Sequence, residues 1–261
     1  MKLGFKNKKV VITGAAGMVG RRIAADFAAE GAILCLTDVR AKPLAALPRE
    51  LGLERGRYMV KAADLTDGKS IARLVRAVEK AWRAPDIVVN YAGIYLRMGS
   101  LLKIRTEAYD QLMGINLRAP FLLSRDFANL MVKNKVKGSI VNISSGAARR
   151  MAMGSVLYCT SKTAIDRLTK GFALELAPKG IRVNAVEPGF VPGSEVSLLS
   201  EEYVKAMLSR IPMGRASGPH DAPSAILYLC SDAASFITGA TLAVDGGNSI
   251  GTFNPDFYKN G

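Results

Sequence analysis

The sequence predicts an α/β fold: a Rossmann-like, doubly wound parallel sheet of about seven strands with helices on both faces. Three observations predict it. Short β-branched runs alternate with longer stretches of helical period along the chain. The strand-like runs are nearly continuous in apolar residues, as strands buried on both faces require. The first run ends in a glycine-rich turn that opens a helix.

The elements follow in order. Lys9–Thr13 reads as the first strand and Gly20–Glu30 as the first helix. Ala32–Thr37 is the second strand, with a short helix at Leu44–Leu53. Tyr58–Lys61 and Lys69–Trp82 form the third strand–helix pair. Ile87–Asn90 is a strand, after which helical spacing runs from about Thr106 to Val132. Ser139–Ile143 leads into a helix at Leu157–Leu176. Ile181–Val186 is followed by a Pro- and Gly-rich loop, helical pieces near Glu201–Ser209 and over Asp221–Cys230, and a last strand at Thr241–Val244.

One domain over residues 1–261 accommodates this pattern, because α/β folds reach about 250 residues as one unit. The stretch at about 193–215 reads as a lid-like insertion, since it is bounded by Gly and Pro and separates two core strands. The tail, 248–261, reads as a segment that packs against a neighbouring subunit.

The first strand ends in Thr13-Gly14-Ala15-Ala16-Gly17-Met18-Val19-Gly20. Glycines at a strand–helix turn let backbone approach a pyrophosphate, and the helix start offers unpaired N–H groups. Asp38 ends the second strand, where a carboxylate accepts from the ribose hydroxyls of adenosine. It would repel the extra phosphate of NADP, so NAD is the expected cofactor and NADP the disfavoured one. Arg40, two residues on, leaves dual use open. Asp64 ends the third strand, either beside the adenine or as a turn or helix-capping carboxylate.

Tyr158 and Lys162 are four residues apart, which puts a phenol and an ammonium on one helical face. A nearby ammonium and the positively charged nicotinamide are together expected to lower the phenol's pKa from about 10, making it a proton-transfer group near neutrality. Ser145 lies 13 residues earlier, at the end of the strand Ser139–Ile143. It is placed to hydrogen-bond a substrate oxygen as charge develops there.

These residues, with Asn90-Tyr91-Ala92-Gly93, Asn116, Pro188-Gly189 and Val244-Asp245-Gly246-Gly247, resemble the short-chain dehydrogenase/reductase family from about Lys8 to Gly247. The resemblance implies a catalytic tetrad of Asn116, Ser145, Tyr158 and Lys162, with Lys162 also on the nicotinamide ribose. It implies cofactor contacts from Gly14, Gly17, Met18, Val19, Asp38, Asp64, Leu65, Asn90, Ala92, Gly93, Tyr158, Lys162, Pro188, Gly189, Val191 and Ser194. It places Tyr95, Arg97, Ala147, Arg149 and Phe190 on the substrate side. It also implies a homodimer or homotetramer built on the helix Thr106–Val132 and the helix carrying Tyr158. Three departures stand out: Met18 where the family's turn has its second glycine, Tyr91 for the common second Asn, and Gly193 followed by Ser194 where a Thr is usual.

The expected activity is NAD(H)-dependent interconversion of a secondary alcohol and its ketone, with a sugar, polyol or ring alcohol as the small-molecule substrate. Arg97, Arg149 and Arg150 raise the expectation of an anionic group on it. The alternatives are an NADP(H)-dependent 3-ketoacyl carrier-protein reductase and a non-catalytic dinucleotide sensor. The intact tetrad weighs against the sensor.

Composition narrows the classes further. A net charge of +14 comes from 36 basic and 22 acidic residues spread along the chain. No aromatics interleave with the N-terminal lysines, so no specific nucleic-acid partner is expected. No apolar run nears the roughly 20 residues of a membrane span, and the strand-like run near the N-terminus gives no expectation of a signal peptide. Three widely spaced cysteines, Cys35, Cys159 and Cys230, form neither a metal set nor a disulfide framework, and a cytoplasmic location is expected.

Overall fold

The structure, a computed structural model, describes residues 3–96, 98–193 and 200–254. Seven strands form one parallel sheet: β1 (Lys9–Thr13), β2 (Ile33–Asp38), β3 (Tyr58–Ala62), β4 (Ile87–Asn90), β5 (Ser139–Ile143), β6 (Arg182–Pro188) and β7 (Thr241–Val244). Their order is β3-β2-β1-β4-β5-β6-β7. The chain starts mid-sheet, runs out to β3, then crosses back to β4 beside β1. That reversal opens a crevice at the carboxyl ends of β1 and β4, where open α/β sheets take ligands.

Side chains alternate across the sheet. Val10 and Ile12 face Ile23 and Phe27 of α1 (Met18–Ala29), Leu44 and Leu47 of α2 (Ala41–Glu50) and Ile226 of α8 (Asp221–Cys230). Val11, Val88 and Ile140 face the other layer. There they meet Ile71 and Leu74 of α3 (Gly68–Trp82), Phe127 of α5 (Ala119–Lys133) and Ala173 of α6 (Val156–Leu176). Each large side chain so buried contributes about 1.5–3 kcal/mol. Both faces are covered, as the unbroken apolar runs require.

The expected long helix from Thr106 to Val132 is two helices. α4 (Thr106–Met113) gives way to a π-turn over Gly114–Arg118 before α5 begins. Pro120 is the physical reason. It has no N–H for the carbonyl of residue 116, and in a regular α-helix its ring would press on that carbonyl. The wider turn accommodates it. The second helix also sits earlier than expected, at Ala41–Glu50, because Pro43 falls in its first turn, where no N–H is needed.

Part of the stretch read as a lid is helical, α7 (Glu201–Leu208), and its end is tied down where the Met213 amide donates to Gly246 O at 3.1 Å. The tail's first residues pack on their own chain: a Cβ on Gly146 would lie 3.2 Å from Ser249. Among the described residues, no helix is long and apolar enough to cross a membrane.

Candidate active site

The turn after β1 is held in a shape only glycine tolerates. Gly14 has φ +67°, and a Cβ there would lie 3.0 Å from Ala92 Cα. At Gly20 a Cβ would fall 2.0 Å from Gly14 O, so α1 packs directly on the turn. Gly17 caps α1 without a side chain, and no acid occupies the first turn. By contrast, Asp67 caps α3 by accepting from the Lys69 and Ser70 amides. The first N–H groups of α1 therefore remain for an anion, beside the positive end of the helix dipole.

Asp38 lies buried next to this turn. It accepts from the Ala16 amide at 3.1 Å and the Arg40 amide at 3.0 Å, and Arg40 Nε and Nη2 bridge both its oxygens. Burial favours the neutral acid, but the Arg40 and Ala16 hydrogen bonds together outweigh it and hold the carboxyl below its ordinary range. Asp64 fills a turn role, one of the two expected of it. Its carboxylate accepts from the Thr66 amide and hydroxyl at 2.8 and 2.7 Å, and those bonds lower its pKa.

A cleft of about 1450 Å³ runs along these groups. Gly14, Gly17, Met18, Val19, Asp38, Asp64, Leu65, Ala92 and Gly93 line it, and it continues past Tyr109, Ile115 and Phe121. A dinucleotide fits this lining: uncapped helix N–H groups, a glycine that admits the Ala92 backbone, and a buried carboxylate at one end. Asn90 stands behind the wall instead of lining it. Its amide is buried and donates to Ser124 Oγ and Asn142 Oδ1.

The chemical groups gather where β5, α6 and the loop after β4 meet. Ser145 ends the β5 loop and caps a short turn, Gly146–Arg149, by accepting from the Ala147 amide at 3.2 Å. Tyr158 lies in the first turn of α6. Lys162 is one turn further on, buried, and donates to Ile143 O at 2.8 Å, with its Nζ 5.7 Å from the centre of the Tyr158 ring. Burial pushes the Lys162 ammonium down to about 8. Asn116, on the π-turn, clamps Ile94: its amide donates to Ile94 O and its oxygen accepts from Ile94 N, both at 2.9 Å. A Cβ on Gly93 would sit 3.4 Å from Asn116 Oδ1 and 3.6 Å from Lys162 Nζ, so the cleft wall touches both groups.

Two sequence expectations change here. The Tyr158 phenol is raised, not lowered: burial penalises the phenolate more than its hydrogen bond with Ser145 favours it, and Cys159 and Tyr95 add to the rise. Arg149 does not stand free for an anionic substrate. It pairs with Glu187, Nη2 to Oε2 at 2.8 Å. Tyr95 lies beside Tyr158, ring centroids 5.0 Å apart, with its hydroxyl 2.8 Å from Ser155 Oγ. Arg97 and Ser194 lie outside the described residues. Gly189 approaches Asp245 so closely that a Cβ would stand 2.9 Å from its Cα, and Phe190 O accepts from the Ser217 amide. Ala147 belongs to the Ser145 turn, and Val191 follows Phe190 on the β6 loop. Half-buried Tyr91, the second-Asn departure, has its pKa raised chiefly by desolvation and then by Tyr158. His220 sits against Arg22 and Asp26, which belong to α1, and not in this cluster. Cys35 and Cys230 are buried thiols pushed up to about 12, a structural condition and not that of a nucleophile.

A family profile described as Enoyl-(Acyl carrier protein) reductase matches residues 14–249. The 3-oxoacyl-[acyl-carrier-protein] reductase FabG of Thermotoga maritima is 35% identical over 243 residues, 93% of this chain and 98% of that protein. This chain is a short-chain dehydrogenase/reductase. A (3R)-3-hydroxyacyl-CoA dehydrogenase of Mus musculus is 32% identical to this dehydrogenase/reductase over 254 residues, covering 94% and 98%. Two solved structures superpose along nearly its whole length. The 3-ketoacyl-(acyl-carrier-protein) reductase of Brucella melitensis, complexed with NADH, gives a TM-score of 0.85 at 30% identity, covering 94% and 100%. A Beutenbergia cavernae structure with bound NADP (low occupancy) gives 0.89 at 30%, covering 96% and 100%. The protein is therefore an oxidoreductase of the alcohol dehydrogenase/reductase type, and its cofactor is a nicotinamide dinucleotide.

Proposed function

We propose that this enzyme interconverts a 3-hydroxyacyl thioester and its 3-oxoacyl thioester with NAD(H). The observation that carries the chemistry is the juxtaposition of Tyr158, Ser145 and Lys162 at the end of β5, beside the cradle of β1. The thioester relatives reverse the order expected from the sequence, which put sugars, polyols and ring alcohols first. The cofactor preference rests on Asp38, a buried carboxylate that disfavours a ribose phosphate.

When bound, a nicotinamide dinucleotide would supply the hydride that a ketone carbon takes up in the reducing direction. The raised pKa of Tyr158 keeps its phenol protonated, and the phenol gives that proton to the ketone oxygen as the C–O bond reduces. Such a placed acid contributes about 10²–10⁴ in rate. Ser145 donates a second hydrogen bond to the same oxygen. The Lys162 ammonium sits beside the phenol, where it favours the phenolate left behind, and it would hold the nicotinamide ribose when the cofactor is bound. Asn116 clamps Ile94 next to Gly93 and so would fix the backbone on that side. Pro188, Gly189 and Val191 are the residues that would back the nicotinamide.

We further propose a homo-oligomer in the cytoplasm, joined through α5 and α6, where Phe121 and Leu174 are exposed. A monomer mass by light scattering would remove the assembly. For the activity, the decisive assay offers acetoacetyl-CoA with NADH or NADPH, and a panel of sugars, polyols and ring alcohols with NAD⁺. The expected result is a thioester kcat/KM at least about tenfold above that of any alcohol in the panel, with NADH preferred. A polyol turned over faster than acetoacetyl-CoA would refute the thioester reading.

A further inference from the structure

We propose that Arg149 and Glu187 are a positioning pair that locks the Ser145 turn against the nicotinamide wall of the site. The inference rests on the dehydrogenase/reductase chemistry and not on which ketone is reduced. The two residues come from separate elements. Arg149 ends the short turn that Ser145 begins. Glu187 is on β6, one residue before Pro188-Gly189. Between them run two contacts, Nε to Oε1 at 3.2 Å and Nη2 to Oε2 at 2.8 Å. The pair therefore ties the turn that carries Ser145 to the end of β6, the strand end that would back the nicotinamide.

The environment makes the pairing obligatory. Glu187 is only 1% exposed. Its carboxylate neighbours are Asp166 on α6 and Asp245 after β7, and both oppose its charge. Arg149 offsets it. Around the turn there is no slack, because a Cβ on Gly146 would meet Ser249 at 3.2 Å and Asp245 Oδ2 at 3.7 Å. Ala148 O also accepts from Thr163 Oγ1 of α6 at 2.8 Å. A buried carboxylate stripped of its partner is costly, whereas removing both charges together is mild. Losing Arg149 alone unties the turn from Glu187 and leaves three carboxylates to repel one another, so Glu187 should shift and Ser145 lose its line. A displacement of about 1 Å at such a group costs up to roughly 100-fold in rate.

Steady-state kinetics on Arg149→Ala, Arg149→Lys, Glu187→Gln and Arg149→Ala/Glu187→Gln test the pair. The ketone is acetoacetyl-CoA, or the fastest substrate of the panel if that thioester is not turned over, so failure of the thioester reading leaves this test intact. Expected for Arg149→Ala is a kcat about tenfold or more below wild type, with KM for NADH within about twofold. Arg149→Lys keeps a cation at the site and should recover most of the rate. The double variant removes the stranded charge and should exceed the single variant in kcat several-fold. Any of three results would overturn the proposal: a loss confined to the ketone KM, which would make Arg149 a substrate ligand; a lowered Tm with kcat per folded enzyme unchanged, which would make the pair merely structural; or a double variant as slow as Arg149→Ala. If Arg149→Ala does not fold, Arg149→Lys and the double variant decide. Both must turn over within a few-fold of wild type, and a folded but slow double variant refutes the pair.

Discussion

At the carboxyl end of β1 the protein meets its cofactor with backbone: the uncapped start of α1, and glycines at 14, 17 and 20 that bring main chain close. At the carboxyl end of β5 it presents side chains, Ser145, Tyr158 and Lys162, and burial sets how readily the last two ionise. The first region recognises a shape common to many dinucleotides, and amide dipoles suffice for that. The second must hold and release a proton, and only titratable groups removed from water can be tuned to do so. If that division is real, damage at one end should separate cleanly from damage at the other.

The largest separation comes from Tyr158→Phe. It deletes the proton and little else, so kcat should fall about 10²–10⁴-fold. NADH affinity, followed by fluorescence titration, should stay within about twofold of wild type. Equal losses in both would mean the two ends are not independent. Gly20→Val tests the other end. Its new carbon would overlap Gly14 O, and overpacking of that kind costs about 1–3 kcal/mol. NADH binding should weaken about 10- to 100-fold and Tm should drop. Unchanged binding would show that the close packing of α1 on the turn is not needed for the cradle.

Asp38→Ala sharpens the comparison within the cofactor end. It removes the carboxylate that repels a ribose phosphate, so NADH affinity should fall about tenfold while the gap to NADPH narrows. An unchanged NADH-to-NADPH ratio of kcat/KM would show that Asp38 does not set the preference. The smallest effect is a pH limb at the chemical end. Lys162 ionises at about 8, an ammonium below that pH and an amine above it. In the reducing direction kcat/KM should be level below that point and decline above it, because this parameter reports the free enzyme. A profile flat between about pH 7 and 9.5 would remove Lys162 charge from the mechanism.

Much of this was legible before any coordinates. Each strand lies within two residues of its expected bounds, because apolar runs and period-two alternation are written locally. The cradle followed from glycine spacing, and the pairing of Tyr158 with Lys162 from their four-residue interval. The π-turn was signalled by Pro120 and still read through, since amphipathic spacing on both sides masked a break that shifts the helix by a single residue. Glu187 also had a signal: one carboxylate inside the apolar run Val183–Pro188. A charge in a doubly covered strand needs a partner, but the run does not say which.

The sequence by itself determined what depends on near neighbours: strand and helix periods, the glycine turn, and the residue types at the reacting centre. Tertiary structure alone decided which arginine is spent on Glu187, 38 positions away, and which way the Tyr158 phenol is pushed. Both are questions of desolvation and of charge placed across separate loops. Burial is summed over the whole packed chain, so no local window of residues contains it.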